Sequence, residues 1–242
     1  MRLLLLSVLA LFAAAPGARA WDSPAPDVVL YCLPTLKTEC AALAAGYRSA
    51  SGVEVHLFLA PPAGLAGLLL HRARADVVVA DTPTLQSLAA AHLVNADTIT
   101  ALGTDAYVLA GQDAANKADL AALLAAHPVI LTDPTTAASF DGHAILTAAL
   151  GQITPPKEIG APDTPYVLAD LHSDDSAIAL VTNTDARGAK IPVLAKLDVP
   201  PMPISGAIVT LRQSVNSPHL LAFIAGPQGA AIRRAGGLEP AP

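Results

Sequence analysis

The sequence predicts an α/β protein of two lobes, each a mainly parallel sheet flanked by helices. Three observations predict it. Short apolar runs alternate with segments of helical period from Val28 onward, the rhythm of parallel strands joined by right-handed crossovers. The run Ala75–Ala80 is unbroken and β-branched, as expected of a strand buried on both faces. A first set of strand-helix units is followed by a second, and the chain then returns to one strand and a terminal helix. Connections near Tyr107–Gly111 and Pro200–Ser205 would join two such lobes, leaving a cleft lined by strand ends and helix starts.

The chain opens on a targeting pattern. Arg2 supplies a positive start, Leu3 to Ala15 is an apolar run, and Ala18-Arg19-Ala20 is a small-x-small cleavage site before Trp21. The run is too short for a good membrane span. A cleaved signal over residues 1–20 and a periplasmic mature chain are expected. Removing Arg2 and Arg19 takes the formal charge from −6 to −8. A mildly acidic chain without a basic run excludes nucleic acid and anionic membrane surfaces as partners.

The elements follow in order. Val28–Cys32 reads as a strand, and Thr35, after Pro34, is the expected N-cap of a helix whose buried face is Leu36, Cys40, Leu43 and Tyr47. A strand that opens a helix in this way can seat an anion on free amides; the alternative is that Thr35 only caps. Val53–Phe58 alternates as a strand, Pro61-Pro62 turns, and Ala63–Arg72 forms a helix. Asp81-Thr82-Pro83-Thr84 caps a third helix, Thr84–Ala91. Ala106–Ala110 and Pro128–Thr132 are further strands, with a short helix opening at Lys117–Leu120 between them and another helix from Ser139 to Leu150. Thr154–Thr164 reads as loop, Tyr166–Leu168 as a short strand or turn, and Ser176–Val181 as a strand. Lys196–Pro203 reads as linker, Ile204–Leu211 as a strand, and His219–Ala235 as a helix broken near Gly226-Pro227.

Cys32 and Cys40 lie eight residues apart in what should be an oxidising compartment, so a disulfide is expected. The alternatives are two free thiols, or a soft-metal site completed by His56. The seven histidines are scattered, and His143, close to the segment around Asp133, is the one to watch. No G-x-S-x-G, H-E-x-x-H or phosphate loop occurs, so catalysis is not expected.

Four segments carry a family likeness. They are Tyr31-Cys32-Leu33-Pro34-Thr35-Leu36; Leu59 to Leu65 followed by Ala75-Asp76-Val77; Thr132-Asp133-Pro134; and Ala179 to Ala186, with Pro203–Val209 and the terminal helix behind them. In this order and spacing the chain resembles the periplasmic molybdate-binding proteins, the solute receptors of molybdate ABC transporters. The resemblance implies a type II-like periplasmic binding protein. Lobe 1 would be residues 21–107 and 204–242, and lobe 2 residues 108–203. It further implies an oxyanion held by hydroxyls and amides in the cleft, an ABC permease as partner, a monomer, no cofactor and no metal. The implied ligand residues are Thr35, Pro62, Ala63, Ser139, Val167 and Thr182, with Ala63 and Val167 contributing backbone amides. Asp133 and Asp185 fit turns and caps better than ligands.

The departures from the family pattern are specific. A family serine falls on Pro61 or Pro62, which offer neither hydroxyl nor amide hydrogen. A family tyrosine becomes Thr182, and Ala138-Ser139-Phe140 puts an aromatic where the family keeps glycine. Two lost hydrogen bonds to a charged ligand would cost two or more powers of ten in affinity. The same scaffold could therefore serve a metal ion, a small organic solute or an accessory role instead.

Overall fold

The computed structural model describes residues 27–71, 73–112, 120–133, 140–151, 157–211 and 214–241. The expected signal, the opening of the helix at Lys117, and Ser139 lie outside the described residues.

Strand β1 (Val28–Cys32) is buried along its whole length and enters a 3-10 turn, Pro34–Leu36, before α1 (Lys37–Ser51). Thr35 is therefore not an N-cap. Pro34, with its fixed φ, starts the turn at its first position, and no side chain caps either the turn or α1. Helix α1 ends on Gly52, whose φ of 75° is the left-handed cap conformation. Then come β2 (Val55–Leu59), α2 (Pro62–Leu70), β3 (Val77–Asp81), α3 (Thr82–Ala90) and β4 (Thr100–Asp105). Asp81 caps α3, accepting from the Thr84 amide at 2.8 Å and from its hydroxyl at 2.6 Å.

The chain continues through β5 (Tyr107–Gly111), α4 (Leu120–Ala126), β6 (Val129–Thr132), α5 (Gly142–Leu150) and β7 (Glu158–Ala161). It then forms α6 (Thr164–Ser173), β8 (Ile178–Thr182), α7 (Asn183–Gly188), β9 (Val193–Lys196), β10 (Met202–Ile208), α8 (Ser217–Ala225) and α9 (Pro227–Gly236). The expected strand or turn at Tyr166–Leu168 is thus helix. Asp163 caps it and Pro165 stands in its first turn, the start signals that decide the segment. Strands β4, β7 and β9 escape the pattern because they are short or partly exposed and β4 contains Gly103.

Two five-stranded sheets result, ordered β2-β1-β3-β10-β4 and β7-β6-β8-β5-β9. In each, the first three strands are parallel and the fourth, β10 or β5, is reversed. The chain passes from the first sheet to the second across Ala106, between β4 and β5, and returns between β9 and β10. The outcome is an α/β fold of two mixed sheets flanked by helices.

Asp76 fastens the first lobe from within. It is fully buried and accepts from the Val29 amide at 2.8 Å, the Ser217 hydroxyl at 2.7 Å and the Ser214 amide. A buried carboxylate with three donors is satisfied where an unpaired one would be costly. It ties β1 to the start of β3 and to α8. The second core is built from Val108, Ile130, Val167, Leu171, Ala179 and Val181 among others, the small aliphatics that dominate the composition.

Candidate functional site

The lobes meet where the 3-10 turn and α1 of the first face α6 and α7 of the second. Between them runs a groove of about 360 Å³, lined by Pro34, Lys37, Thr38 and Leu59 on one side and Pro165, Leu168, Asp185, Gly188 and Ala189 on the other. Gly188 permits this close approach: a Cβ there would stand 2.4 Å from Thr38 Oγ1.

Two hydroxyls at this junction are buried without partners. Thr35, in the turn after β1, and Thr164, at the start of α6, are each 1% exposed, and neither Oγ1 makes a hydrogen bond among the described residues. Most buried polar atoms are paired, and an unpaired one costs about 1–3 kcal/mol. Sequence reasoning missed Thr164. The signal is present in Asp163-Thr164-Pro165, where a capping acid and a first-turn proline mark a helix start inside a stretch otherwise rich in loop residues.

The other expected ligand residues are placed as follows. Pro62 and Ala63 open α2. The first bond there is Leu65 N–H to the Pro61 carbonyl at 2.9 Å, which leaves the Ala63 amide among those a helix start does not use. Val167 points into the second core with no exposure, and its amide donates to the Asp163 carbonyl at 3.2 Å. Neither its side chain nor its amide is free for a ligand. Thr182 caps α7 by accepting from the Asp185 amide at 3.3 Å. Its hydroxyl also lies 3.0 Å from Thr184 Oγ1 and 3.0 Å from Asp185 Oδ2. The shorter side chain that replaces the family's tyrosine is engaged inside lobe 2.

Cys32 and Cys40 are joined in a disulfide, with Cα atoms 6.6 Å apart, which fixes the strand end to α1 on either side of Thr35. His56 pairs instead with Asp27 at 3.0 Å, and His143 with Glu158 at 3.3 Å. Both pairs are exposed. Among the described residues no group of three or more His, Cys, Asp or Glu side chains could hold a metal.

At the groove lies a set of buried acids of which sequence reasoning named only Asp185, as a turn or cap residue. Asp105 ends β4 with no exposure, Asp185 stands in the first turn of α7, and Glu39 in the first turn of α1. Burial pushes Asp105 up to about 6, against hydrogen bonds from Thr184 and Thr182. Burial pushes Glu39 up to about 7, its own backbone amide opposing and Asp105 adding. Asp185 is held well above the usual carboxylate range, by burial first and by the Asp105 charge second. Asn183 Nδ2 donates to the Gly237 carbonyl at 2.7 Å, joining α7 to the end of α9.

Residues 28–239 match the family of bacterial extracellular solute-binding proteins, and the chain belongs to that family. No curated protein sequence matches it. Its fold is similar to that of the periplasmic molybdate-binding protein of Azotobacter vinelandii, at 15% identity, TM-score 0.75, and 89% of this chain against 100% of that one. Peb3 of Campylobacter jejuni, with L-phospholactate bound, aligns at 13% identity and TM-score 0.71, over 89% and 100% of the two chains. A tungstate ABC transporter structure from Geobacter sulfurreducens aligns at 13% identity and TM-score 0.64, over 86% and 98%.

Proposed function

We propose that this chain is a periplasmic receptor that closes two lobes on a small oxyanion and delivers it to an ABC permease. The observation that carries the reading is a pair of buried hydroxyls with no partner among the described residues, Thr35 Oγ1 in the 3-10 turn and Thr164 Oγ1 at the start of α6, on two elements that pack against each other at the junction. An anion bridging them would relieve two desolvated donors at once, and neutral donors can replace the water around an oxyanion without a positive side chain. The Ala63 amide at the start of α2 adds a third donor, and Ser139 is a fourth proposed contact. Pro62 forms wall rather than donor. The lobes that close would be residues 21–107 with 204–242, and residues 108–203. The mature chain acts as a monomer after loss of its signal, with no cofactor and no catalytic step.

The groove favours a second form of the same reading, an oxyanion carried on a small organic body. Its volume of about 360 Å³ and the apolar surfaces of Pro34, Leu59, Pro165 and Leu168 suit a body larger than a bare tetrahedral ion.

The test is thermal unfolding of the mature chain with millimolar molybdate, tungstate, sulfate, phosphate, phosphoenolpyruvate and phenyl phosphate. A ligand at a hundred times its Kd adds about 2.7 kcal/mol, a rise of several degrees at this size. A shift with the inorganic anions supports the first form, and a shift with the organic phosphates alone the second. No shift with any of the six overturns both.

A further inference from the structure

Four short oxygen–oxygen contacts run through the crossing between the lobes, and the hydroxyls present cannot supply four hydrogens. Thr184 Oγ1 lies 3.1 Å from the Thr35 carbonyl oxygen of the opposite lobe, 3.0 Å from Thr182 Oγ1, and within hydrogen-bond distance of Asp105 Oδ2. Thr182 Oγ1 lies 3.0 Å from Asp185 Oδ2. Each contact needs one hydrogen, and each threonine hydroxyl owns one. The neighbouring amides do not help: Thr184 N–H donates to Asp105 Oδ1 and Asp185 N–H to Thr182 Oγ1, each at 3.3 Å. The chain of contacts is two hydrogens short.

Two carboxyl protons supply the hydrogens that these four contacts lack; the bond that Thr182 also offers Asp105 draws on the same hydroxyl and only deepens the shortage. A proton on Asp185 Oδ2 is donated to Thr182, and the Thr182 hydroxyl then donates to Thr184. A proton on Asp105 Oδ2 is also donated to Thr184. The hydrogen of Thr184 is thereby released toward the Thr35 carbonyl, across the cleft. With both acids ionised, Asp105 takes the Thr184 hydrogen and the Thr35 carbonyl loses its donor.

We propose that the closed cleft carries one proton on Asp105 and one on Asp185, so that anion capture is coupled to proton uptake. The anion half of this rests on the proposed function; the protonation does not. The raised positions of both acids agree with it in direction. The charged groups acting on them reinforce it: Glu39 from α1 and Asp163 ahead of α6 are acidic. Burial first, and then the charges of Asp105 and Asp81, push Tyr107 of β5 up to about 12, so it stays neutral. Of the bases on the packed elements, Lys37 of α1 and Arg234 of α9 are exposed, and Arg233 of α9 donates to the Ile224 carbonyl. Arg187 of α7 lies along Gly237. Among the described residues none of these pairs with Asp105 or Asp185. An anion beside the cluster would favour protonation further, through like-charge repulsion.

The experiment has two arms on the mature chain. In the first, without ligand, Tm is followed from pH 5 to 8 for the natural sequence, Asp105→Asn, and Asp105→Asn with Asp185→Asn. The natural chain should lose several degrees as pH rises through about 6, and the double variant should lose markedly less. A slope that the double variant leaves unchanged overturns the proposal. In the second arm, Kd for the anion that shifts Tm is measured at pH 5.5 and 7.5. Binding should be at least tenfold tighter at pH 5.5, and Thr184→Val should abolish that difference. Equal affinity at both pH values in the natural chain overturns the coupling. If the first arm succeeds and no anion binds, the proposed function fails while the buried protons stand.

Discussion

Thr35→Val tests the site at the atom on which it depends. The replacement keeps the shape of the side chain and exchanges a buried hydroxyl, 1% exposed and without a partner, for a methyl group. If that hydroxyl awaits a ligand, its removal lifts a desolvation penalty of about 1–3 kcal/mol from the free protein. For a chain of 242 residues this raises Tm by roughly 2–6 °C. The same change removes one hydrogen bond to a charged ligand, roughly 1.5–3 kcal/mol, and so weakens Kd about ten- to a hundredfold. Scanning fluorimetry without ligand and calorimetric titration with the anion read the two effects, and Thr35→Ser should retain binding. A variant with lower Tm and unchanged Kd would refute the reasoning, because the hydroxyl would then serve the fold.

Further outcomes follow from other parts of the structure. Replacing Cys32 and Cys40 by serine opens a loop of eight residues and should cost about 2.5 kcal/mol by loop entropy. The reductant dithiothreitol should lower the Tm of the natural chain similarly, and an unchanged Tm in reductant counts against this. Glu39 has a raised position, from 4.5 to about 7, so its contribution to stability is full below pH 4.5 and is lost as pH rises through about 7. Glu39→Gln should accordingly gain up to about 3 kcal/mol at pH 8 and little at pH 4; urea midpoints at the two pH values check this, and equal gains would contradict it. Gly188→Val places side-chain atoms against Thr38. It should weaken anion binding at least tenfold while shifting the ligand-free Tm by less than about 2 °C, since the obstructed contact lies between lobes. A large fall in Tm would instead make Gly188 part of a lobe's own packing.

The parallel core of each lobe was legible because its strands are continuous apolar runs. Val28–Cys32, Val77–Ala80, Val129–Thr132 and Ile178–Thr182 are buried at every position. The outer strands of the second sheet were not. β7 is four residues with Gly160 inside it, and β9 is half exposed, so neither shows a period against its surroundings. Thr35 stood out from the sequence both as a cap and as an anion contact, and Pro34 displaces the first of these roles by starting a 3-10 turn. The Val167 amide is taken up inside α6, because the helix start at Asp163-Thr164-Pro165 turns the amides of that segment onto the helix's own carbonyls. The Asp105, Thr182, Thr184 and Asp185 cluster draws on β4, β8 and α7. Nothing in a linear reading brings residues 105 and 184 together, since that contact depends on how two sheets are arranged.

Strand β10 enters the first sheet between β3 and β4, pairing Ile204 with Asp81 and Met202 with Asp105. The centre of the first lobe therefore stays open until almost the whole polypeptide is available. Long-range pairing of this kind slows folding, because chain closure is paid before the contacts reward it. The strand that arrives last in the chain is thus the one that joins β3 to β4, and the first sheet is complete only once it is in place.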